Sequence, residues 1–134
     1  IGTDTTRKEM TIAVMEGIAF AVKQLVSVMG VSKEELARLK VTGGGSKNEV
    51  WMQILADVLN TKVEQLESVA GAGYGIALCA AAAGDENLSM NDLIEQTVSS
   101  KNTFIPRQYN RELYEQKYQK YLRVYDALKH IYQE

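Results

Sequence analysis

Apolar residues recur three or four positions apart near the start of the chain. They would give one apolar face to a helix from about Thr6 to Met29, and they are Val14, Ile18, Val22, Leu25 and Met29. Thr6 is followed three residues later by Glu9, which is a capping box, and Gly30 is suited to the C-terminal cap. The pattern therefore predicts a long first helix with this stripe as its packing face.

Shorter elements follow. A second capping box, Ser32 with Glu35, predicts a short helix over residues 32–39, and residues 39–42 then predict a strand. A third helix, over about 47–59, begins at the capping box Ser46 with Glu49. Its continuous apolar stripe consists of Val50, Trp51, Ile54, Leu55, Val58 and Leu59. Asn60 suits a left-handed stop, and residues 61–66 predict a second strand, which makes a βαβ unit with two parallel strands.

The second half of the chain predicts three helices and one extended segment. Very small residues fill a helix over 70–84, and Ser89 with Asp92 opens a short helix to about Val98. An extended segment over 101–105 precedes Pro106. A long helix is predicted from Gln108 to the end. Its tyrosines form a stripe that is typical of a packing face, and they are Tyr114, Tyr118, Tyr121 and Tyr125.

Two strands make an incomplete sheet, because parallel strands are normally buried within larger sheets. Either further strands come from sequence outside this chain, or a second copy pairs with it. The chain also begins at Ile1 without an initiator methionine. We therefore expect a piece of a longer protein.

Composition narrows the class of protein. The net charge of −2 disfavours nucleic acid and anionic membrane surfaces as partners, and no apolar run approaches the ~20 residues that span a bilayer. The lone Cys79 cannot form an internal disulfide and is expected to be a small buried side chain in a reducing, cytoplasmic setting. One cysteine and one histidine exclude a His/Cys metal site.

The three glycines between the first strand and the third helix allow two interpretations. Gly43, Gly44 and Gly45 either form a tight turn, or bring backbone amides to an anion at a helix N-terminus. Neither a P-loop nor a Rossmann pattern fits the spacing of this chain's glycines. Asn48, on the first helical turn, is either a ligand for ribose or phosphate oxygens or an exposed helix-start residue.

Acid–base catalysis has no convincing candidate in the chain. Asp57 and Glu64 flank the βαβ turn without a visible partner, and Glu16 is the one acid inside a mostly apolar stretch. Lys47 is interpreted as a solvated surface lysine. The chain by itself is predicted to bind rather than to react.

Several of these segments together resemble the FGGY carbohydrate kinases, the xylulokinases above all. Residues 41–47 and 51–59 resemble the family's adenosine motif, and Met15-Glu16-Gly17-Ile18-Ala19-Phe20 resembles the helix before it. Residues 71–77 are similar to its small-residue helix, and the tyrosine-rich end after Pro106 is similar to its C-terminal helix. The resemblance covers nearly the whole chain.

The resemblance implies a fold, and it implies that this chain binds the nucleotide while the catalytic residues lie upstream of it. Residues 1–134 are expected to be the C-terminal portion of the second, nucleotide-binding domain of such a kinase. The fold class is α/β, part of a ribonuclease H-like domain of the actin and sugar kinase superfamily, helix-rich with a small parallel sheet. The small-residue helix would pack behind the nucleotide site.

By position in the motif, the nucleotide contacts carry over to Gly43, Gly44, Gly45 and Asn48. No residue of this chain is assigned to catalysis or to a metal, because the family's catalytic Asp lies upstream. The full-length enzyme is expected to use ATP and Mg²⁺ to phosphorylate a sugar, D-xylulose being favoured, and to need the missing N-terminal domain. Whether the enzyme is a homodimer is left open by the resemblance.

The alternative is a non-catalytic regulatory or assembly module of the same superfamily that acts through the Tyr114–Tyr125 face. A further alternative is a self-pairing α/β domain without a nucleotide role.

Overall fold

The computed structural model describes residues 2–32, 34–67, 71–85 and 88–131. Short 3₁₀ turns lie at Gly44–Lys47 and Gln108–Asn110. The helices and strands in these ranges are α1 (Arg7–Val28), β1 (Arg38–Val41), α2 (Glu49–Leu59), β2 (Lys62–Leu66), α3 (Gly71–Gly84), α4 (Met90–Thr97), β3 (Ser100–Phe104) and α5 (Arg111–Leu128).

The three strands form one sheet in the order β1-β2-β3. β1 and β2 are parallel, with Leu39 opposite Val63, so the predicted βαβ unit is confirmed. β3, predicted only as an extended segment, pairs antiparallel with β2 and places Phe104 opposite Val63. The sheet is therefore mixed rather than parallel throughout.

The predicted ends of α1 are confirmed. The backbone N–H of Thr6 donates to a Glu9 carboxylate oxygen at 2.8 Å, and the N–H of Glu9 donates to Thr6 Oγ1 at 3.2 Å, which completes the capping box. Gly30 follows the helix with φ +67°, the left-handed conformation that glycine adopts most easily.

The predicted packing face of α1 is wrong for most of its members. Val14, Ile18, Leu25 and Met29 are between 52% and 75% exposed, whereas Ala19 and Phe20 are buried. The side that packs against the core consists of Ile12, Met15, Ala19, Phe20 and Val22. α1 carries apolar residues on more than one side, so helical spacing alone does not select the side that finds a partner.

α2 lies at the centre of the core and confirms most of its predicted stripe. Ile54, Leu55, Val58 and Leu59 are buried, while Trp51 is half-buried and Val50 is exposed. α1 and α5 pack against α2, and its other side packs on β2 and β3. The buried residues thus form one cluster around this helix.

The predicted helix over 32–39 is wrong. The capping-box hydrogen bonds between Ser32 and Glu35 do form, at 2.8 and 3.2 Å, but they close a single turn. Arg38 already belongs to β1, because the backbone from 38 to 41 pairs with β2. A local cap was outweighed here by the hydrogen bonds of the sheet.

α3 and α4 have the predicted positions, although Ala70 lies outside the described residues. They pack mainly on each other, and the Tyr74 hydroxyl donates to the Thr97 carbonyl oxygen at 3.3 Å. A Cβ atom at Gly73 or Gly75 would meet nothing within 4 Å, so packing among the described residues does not require glycine at either position. Cys79 is exposed, which contradicts its prediction as a buried side chain.

Candidate functional site

The glycine loop leads from the carboxyl end of β1 into α2. Gly43 has φ +92° and ψ −176°, a conformation that is open essentially to glycine alone. One 3₁₀ turn follows, in which the amides of Ser46 and Asn48 donate to the carbonyl oxygens of Gly43 and Gly45 at 3.2 and 3.1 Å. The Ser46 hydroxyl also donates to the Gly43 carbonyl oxygen at 2.7 Å.

This turn corrects the predicted start of the third helix. Ser46 is buried inside the turn and does not cap α2, so the predicted capping box with Glu49 is wrong. Asn48 is the cap instead, and its Oδ1 accepts the Trp51 N–H at 3.2 Å. The Ser46 hydroxyl bonds within the 3₁₀ turn, two residues before the cap position of α2, and therefore does not cap the helix.

Only one of the three glycine positions requires glycine for its backbone conformation. The backbone of Gly43 requires it, whereas Gly44 and Gly45 do not have positive φ. A Cβ atom at Gly44 would meet nothing within 4 Å, and one at Gly45 would lie in ordinary contact with Trp51 Nε1 at 3.5 Å. The interpretation as a tight turn therefore accounts for Gly43 and leaves the other two without a structural requirement.

The amides of Gly44 and Gly45 are also open to a ligand. Neither N–H has a hydrogen-bond partner within the part of the chain that the structure describes. Both lie just before the N-terminus of α2, where unsatisfied amides and the helix dipole favour negative charge. The loop thus offers two adjacent donors to an anionic or oxygen-rich group.

The two polar atoms of the Asn48 side chain, Oδ1 and Nδ2, have different surroundings. Its Oδ1 is engaged in capping, which confirms the helix-start interpretation for that atom. Its Nδ2 has no partner among the described residues, and the residue is exposed. An exposed amide donor one turn along from the free glycine amides is therefore available to the same ligand.

Two cavities of different character border the loop. One of about 520 Å³ lies between α1 and the start of α2 and has mainly apolar walls, including Ile12, Met15 and Val50 beside Asn48. The other, of about 290 Å³, lies at the carboxyl end of β2 and is lined by polar and charged groups, in which Lys47 and Lys101 are balanced by Glu49 and Glu67. Asn48 thus borders an apolar space, and the 3₁₀ turn at Ser46 and Lys47 borders a polar one.

The Asp57 carboxylate accepts five hydrogen bonds, which corrects the prediction that this residue has no partner. Its fully buried carboxylate accepts from Arg107 three times, from the backbone N–H at 2.8 Å, Nε at 2.9 Å and Nη2 at 2.6 Å. Asn110 Nδ2 and Gln53 Nε2 donate at 2.8 and 2.9 Å. This cluster ties the end of α2 to the connection between β3 and α5.

The pKa of Asp57 is lowered by this cluster. Burial by itself would raise the pKa, since it disfavours the charged form, but the hydrogen bonds from Arg107, Asn110 and Gln53 outweigh it. The carboxylate is held ionised and every partner is a donor. Asp57 is therefore a structural anchor rather than a general base.

The other two acids considered in the sequence are also engaged. Glu64 accepts from the Ser100 hydroxyl at 2.9 Å, and both carboxylate oxygens of Glu16 accept from Lys117 Nζ at 2.9 Å. These partners lie 36 and 101 residues away along the chain, so no local spacing reveals them. Both acids therefore have structural roles in the described part of the chain.

The tyrosine stripe of α5 faces inward. Tyr114 and Tyr118 are buried, and the rings of Tyr114, Tyr118 and Tyr121 lie 5.6 to 6.3 Å from that of Phe20 on α1. Ion pairs flank the rings, Lys23 with Glu115 and Glu16 with Lys117, each at 2.9 Å. The face proposed for an assembly module is thus mostly core, and only Tyr125 remains exposed.

Comparison with known proteins identifies the family. Residues 1–84 match the "FGGY family of carbohydrate kinases, C-terminal domain". The chain belongs to this family. A xylulose kinase of Bacillus subtilis is 32% identical over 126 residues, which cover 94% of this chain and 24% of that protein.

Solved structures of FGGY and related sugar kinases agree with the fold. The crystal structure of xylulose kinase from Rhodospirillum rubrum matches with a TM-score of 0.85 at 27% identity, over 100% of this chain and 27% of that one. The glycerol kinase of Plasmodium falciparum, solved with ADP, matches with a TM-score of 0.72 at 26% identity, over 92% of this chain and 25% of that one. The chain carries part of the actin and sugar kinase fold and spans about a quarter of the length of these relatives.

Proposed function

We propose that this FGGY chain is the C-terminal portion of the second domain of an ATP-dependent sugar kinase, and that it supplies part of the nucleotide cleft. The observation that carries the proposal is the pair of free amides at Gly44 and Gly45, at positions where the fold itself does not require glycine. A glycine that packing does not explain favours close approach of a ligand to the backbone.

The proposed nucleotide contacts are Gly43, Gly44, Gly45 and Asn48. Gly43 sets the direction of the loop, Gly44 and Gly45 donate their amides, and Asn48 donates through Nδ2. The apolar cavity beside Asn48 suits a purine, and Lys47 and Lys101 border the polar cavity together with Glu49 and Glu67. The family of carbohydrate kinases and the ADP in the glycerol kinase structure support ATP as the phosphate donor, and Mg²⁺ is proposed as its counter-ion.

In the proposed enzyme a base deprotonates a sugar hydroxyl, which attacks the γ-phosphorus, and ADP leaves. Phosphoryl transfer of this kind depends mainly on positioning and on stabilising charge. The base is proposed to lie in the upstream part of the full-length protein, and this chain holds and orients the nucleotide. The 134-residue chain alone is expected to be inactive. The full-length enzyme is proposed to be cytoplasmic.

D-xylulose is the proposed sugar. The support is the recurrence of xylulose kinases among the relatives of this chain, from Bacillus subtilis, Staphylococcus xylosus and Lactococcus lactis. The sugar pocket is proposed to lie outside this chain, so a panel of sugars tests the choice. Sugar-dependent ADP release by the full-length protein should be fastest with D-xylulose, and ADP release from D-xylulose by the 134-residue chain would contradict the division of labour.

The loop is tested by Gly44→Ala in the full-length protein. A methyl group there meets open space within the chain but obstructs a bound nucleotide, so the KM for ATP should rise about tenfold, equivalent to about 1.4 kcal/mol. The KM for the sugar should stay unchanged. Gly17→Ala is the matched control, because that glycine also has free space and lies within α1. An unchanged KM for ATP in Gly44→Ala would remove the support for the loop.

A further inference from the structure

Ser46 is a buried polar residue that the proposed nucleotide contacts do not include. Its side chain lies inside the 3₁₀ turn between the glycines and α2, and the residue is 4% exposed. Its amide and its hydroxyl both donate to one acceptor, the Gly43 carbonyl oxygen, at 3.2 and 2.7 Å. The hydroxyl therefore adds a second hydrogen bond to a carbonyl that the turn already holds with one.

The Gly43 carbonyl belongs to the same peptide group as the Gly44 amide. A trans peptide group is planar, and its C=O and N–H point in opposite directions. Because Ser46 holds the C=O on the inner side of the turn, the Gly44 N–H is directed outward, where it has no partner among the described residues. The orientation of this proposed ligand donor is thus set from the opposite side of the peptide.

The Gly43–Gly44 peptide group has little steric constraint of its own. It lies between two glycines, and its reversal would change mainly ψ of Gly43 and φ of Gly44, angles that glycine rotates at low cost. A reversed group would present an acceptor, the Gly43 carbonyl oxygen, to an anionic ligand in place of a donor. Apparent affinity falls with the fraction of molecules in the competent orientation, so a bond that selects this orientation favours binding.

We infer that Ser46 is a positioning residue for the phosphate donor, and that its hydroxyl fixes the Gly43–Gly44 peptide with the Gly44 N–H directed at the nucleotide. The inference rests on the proposed function, because it takes the loop as part of the nucleotide cleft. It adds a residue outside the proposed contacts, which acts through the backbone. Ser46 itself does not touch the nucleotide, since its side chain is buried and its hydroxyl donates within the turn.

Thr61 allows this role to be separated from a purely structural one. Loss of a buried hydrogen bond lowers stability wherever the bond lies. Thr61 is 7% exposed, and its hydroxyl also donates to a backbone carbonyl oxygen, that of Leu36. It follows the C-terminal end of α2, at the opposite end of the helix from the glycine loop. Ser46→Ala and Thr61→Val therefore remove the same kind of bond at two different places.

Kinetics of the full-length protein test the inference. Ser46→Ala should raise the KM for ATP about fivefold, the factor that corresponds to one ordinary hydrogen bond. Its kcat and its KM for the sugar should stay within about twofold of wild type, because an interaction made equally in ground and transition states changes KM alone. Thr61→Val, the matched control, should leave all three constants unchanged.

Thermal unfolding of the same two variants supplies the structural comparison. Ser46→Ala and Thr61→Val should lower the Tm of the full-length protein by a few degrees each, since both lose a buried hydrogen bond. Only Ser46→Ala should combine this loss with a raised KM for ATP. A lowered Tm with an unchanged KM for ATP in Ser46→Ala would show a structural role alone and would overturn the inference.

A double variant tests whether Ser46 acts through Gly44. In Gly44→Ala the added methyl group already obstructs the nucleotide at this amide, so adding Ser46→Ala should raise the KM for ATP little further. A KM raised by the product of the two single effects would show that Ser46 acts independently of Gly44, which contradicts the inference.

Failure of the inference is distinguishable from failure of the proposed function. If Gly44→Ala raises the KM for ATP and Ser46→Ala does not, the loop remains a nucleotide contact and the positioning role of Ser46 is wrong. If neither variant changes it, both the proposed contact and the inference are wrong. Calorimetric Kd values for ADP give the same comparison in full-length protein that phosphorylates none of the sugars tested.

Discussion

The α2-centred core and the α3–α4 arm are both rich in apolar residues but are packed very differently. Seven of the eleven residues of α2 are buried, whereas no described side chain in α3 or α4 is. α2 presents Met52, Ile54, Leu55 and Val58, while α3 consists mainly of alanine and glycine. Burial stabilises in proportion to apolar area, so large side chains on one helix outweigh a longer helix of small ones.

The largest effect is expected at the centre of the core. Met52 is fully buried, and Met52→Ala removes its contacts and leaves a cavity, which should cost about 2–5 kcal/mol of unfolding free energy. Urea denaturation of the 134-residue chain measures it. A loss no greater than that of a substitution in the arm would show that the core is not centred on α2.

A smaller loss is expected at the anchor of the core. Asp57→Asn replaces a buried acceptor of five hydrogen bonds with a neutral amide, and it should cost about 1.5–3 kcal/mol. Arg107 is partly exposed and regains some hydration, which limits the loss. Asp126→Asn, in the exposed pair with Lys129, is the control and should change stability by less than about 0.5 kcal/mol.

Asp57 also predicts a dependence on pH. Since its folded pKa is lowered, its contribution is fully present above the unfolded value of about 3.9 and is lost as the pH falls through the folded pKa. Wild type should therefore lose more stability below pH ~4 than Asp57→Asn does. Parallel acid-denaturation curves for the two proteins would contradict the assignment.

The aromatic contact between α1 and α5 gives a spectroscopic signal. Burial, followed by the negative charge of Glu16, raises the pKa of Tyr114 to about 12. The neutral hydroxyl is favoured in the folded state, so this contribution to stability is present below about pH 10 and declines as the pH rises toward about 12. Ultraviolet titration should show a late tyrosine phase that Tyr114→Phe reduces, while Tyr118, whose pKa is also raised by burial, supplies the remainder.

The smallest effect is expected in the arm. Ile76→Ser, at a residue 70% exposed, should change the unfolding free energy by less than about 0.5 kcal/mol. Cys79, on the same helix, is exposed and should react with a thiol reagent at nearly the same rate in native buffer and in urea. Strong protection of Cys79 in the folded chain would show that the arm is packed.

Patterns within one element predicted the fold well. Caps at Thr6 and Asn60 and most of the stripe of α2 follow from neighbours a few residues apart, and the structure has them. The prediction of a helix over 32–39 was wrong because the pairing of β1 with β2 depends on residues more than twenty positions away. Periodicity also could not choose between the two apolar sides of α1.

The candidate site was predicted only in part. The glycine loop and Asn48 are visible in the sequence, whereas the distinction between Gly43 and Gly44 needs the backbone angles. Arg107, the main partner of Asp57, lies 50 residues away, and Lys117, the partner of Glu16, lies 101 residues away, so both appear only once the chain is folded. Exposure of Cys79 was missed because an apolar segment was assumed to be covered within the chain.

The pairing of β2 with β3 has a consequence for chain topology. Leu66 lies opposite Ser100, and the Glu67 amide donates to the Ser99 carbonyl oxygen at 2.9 Å, so both ends of the arm are held together at one point. In polymer terms the segment between these two ends is a single closed loop. The entropic cost of closing a loop grows only with the logarithm of its length. Shortening or extending this loop should therefore alter the stability of the chain far less than its residue count suggests, which makes it the natural place to insert a tag or a reporter domain.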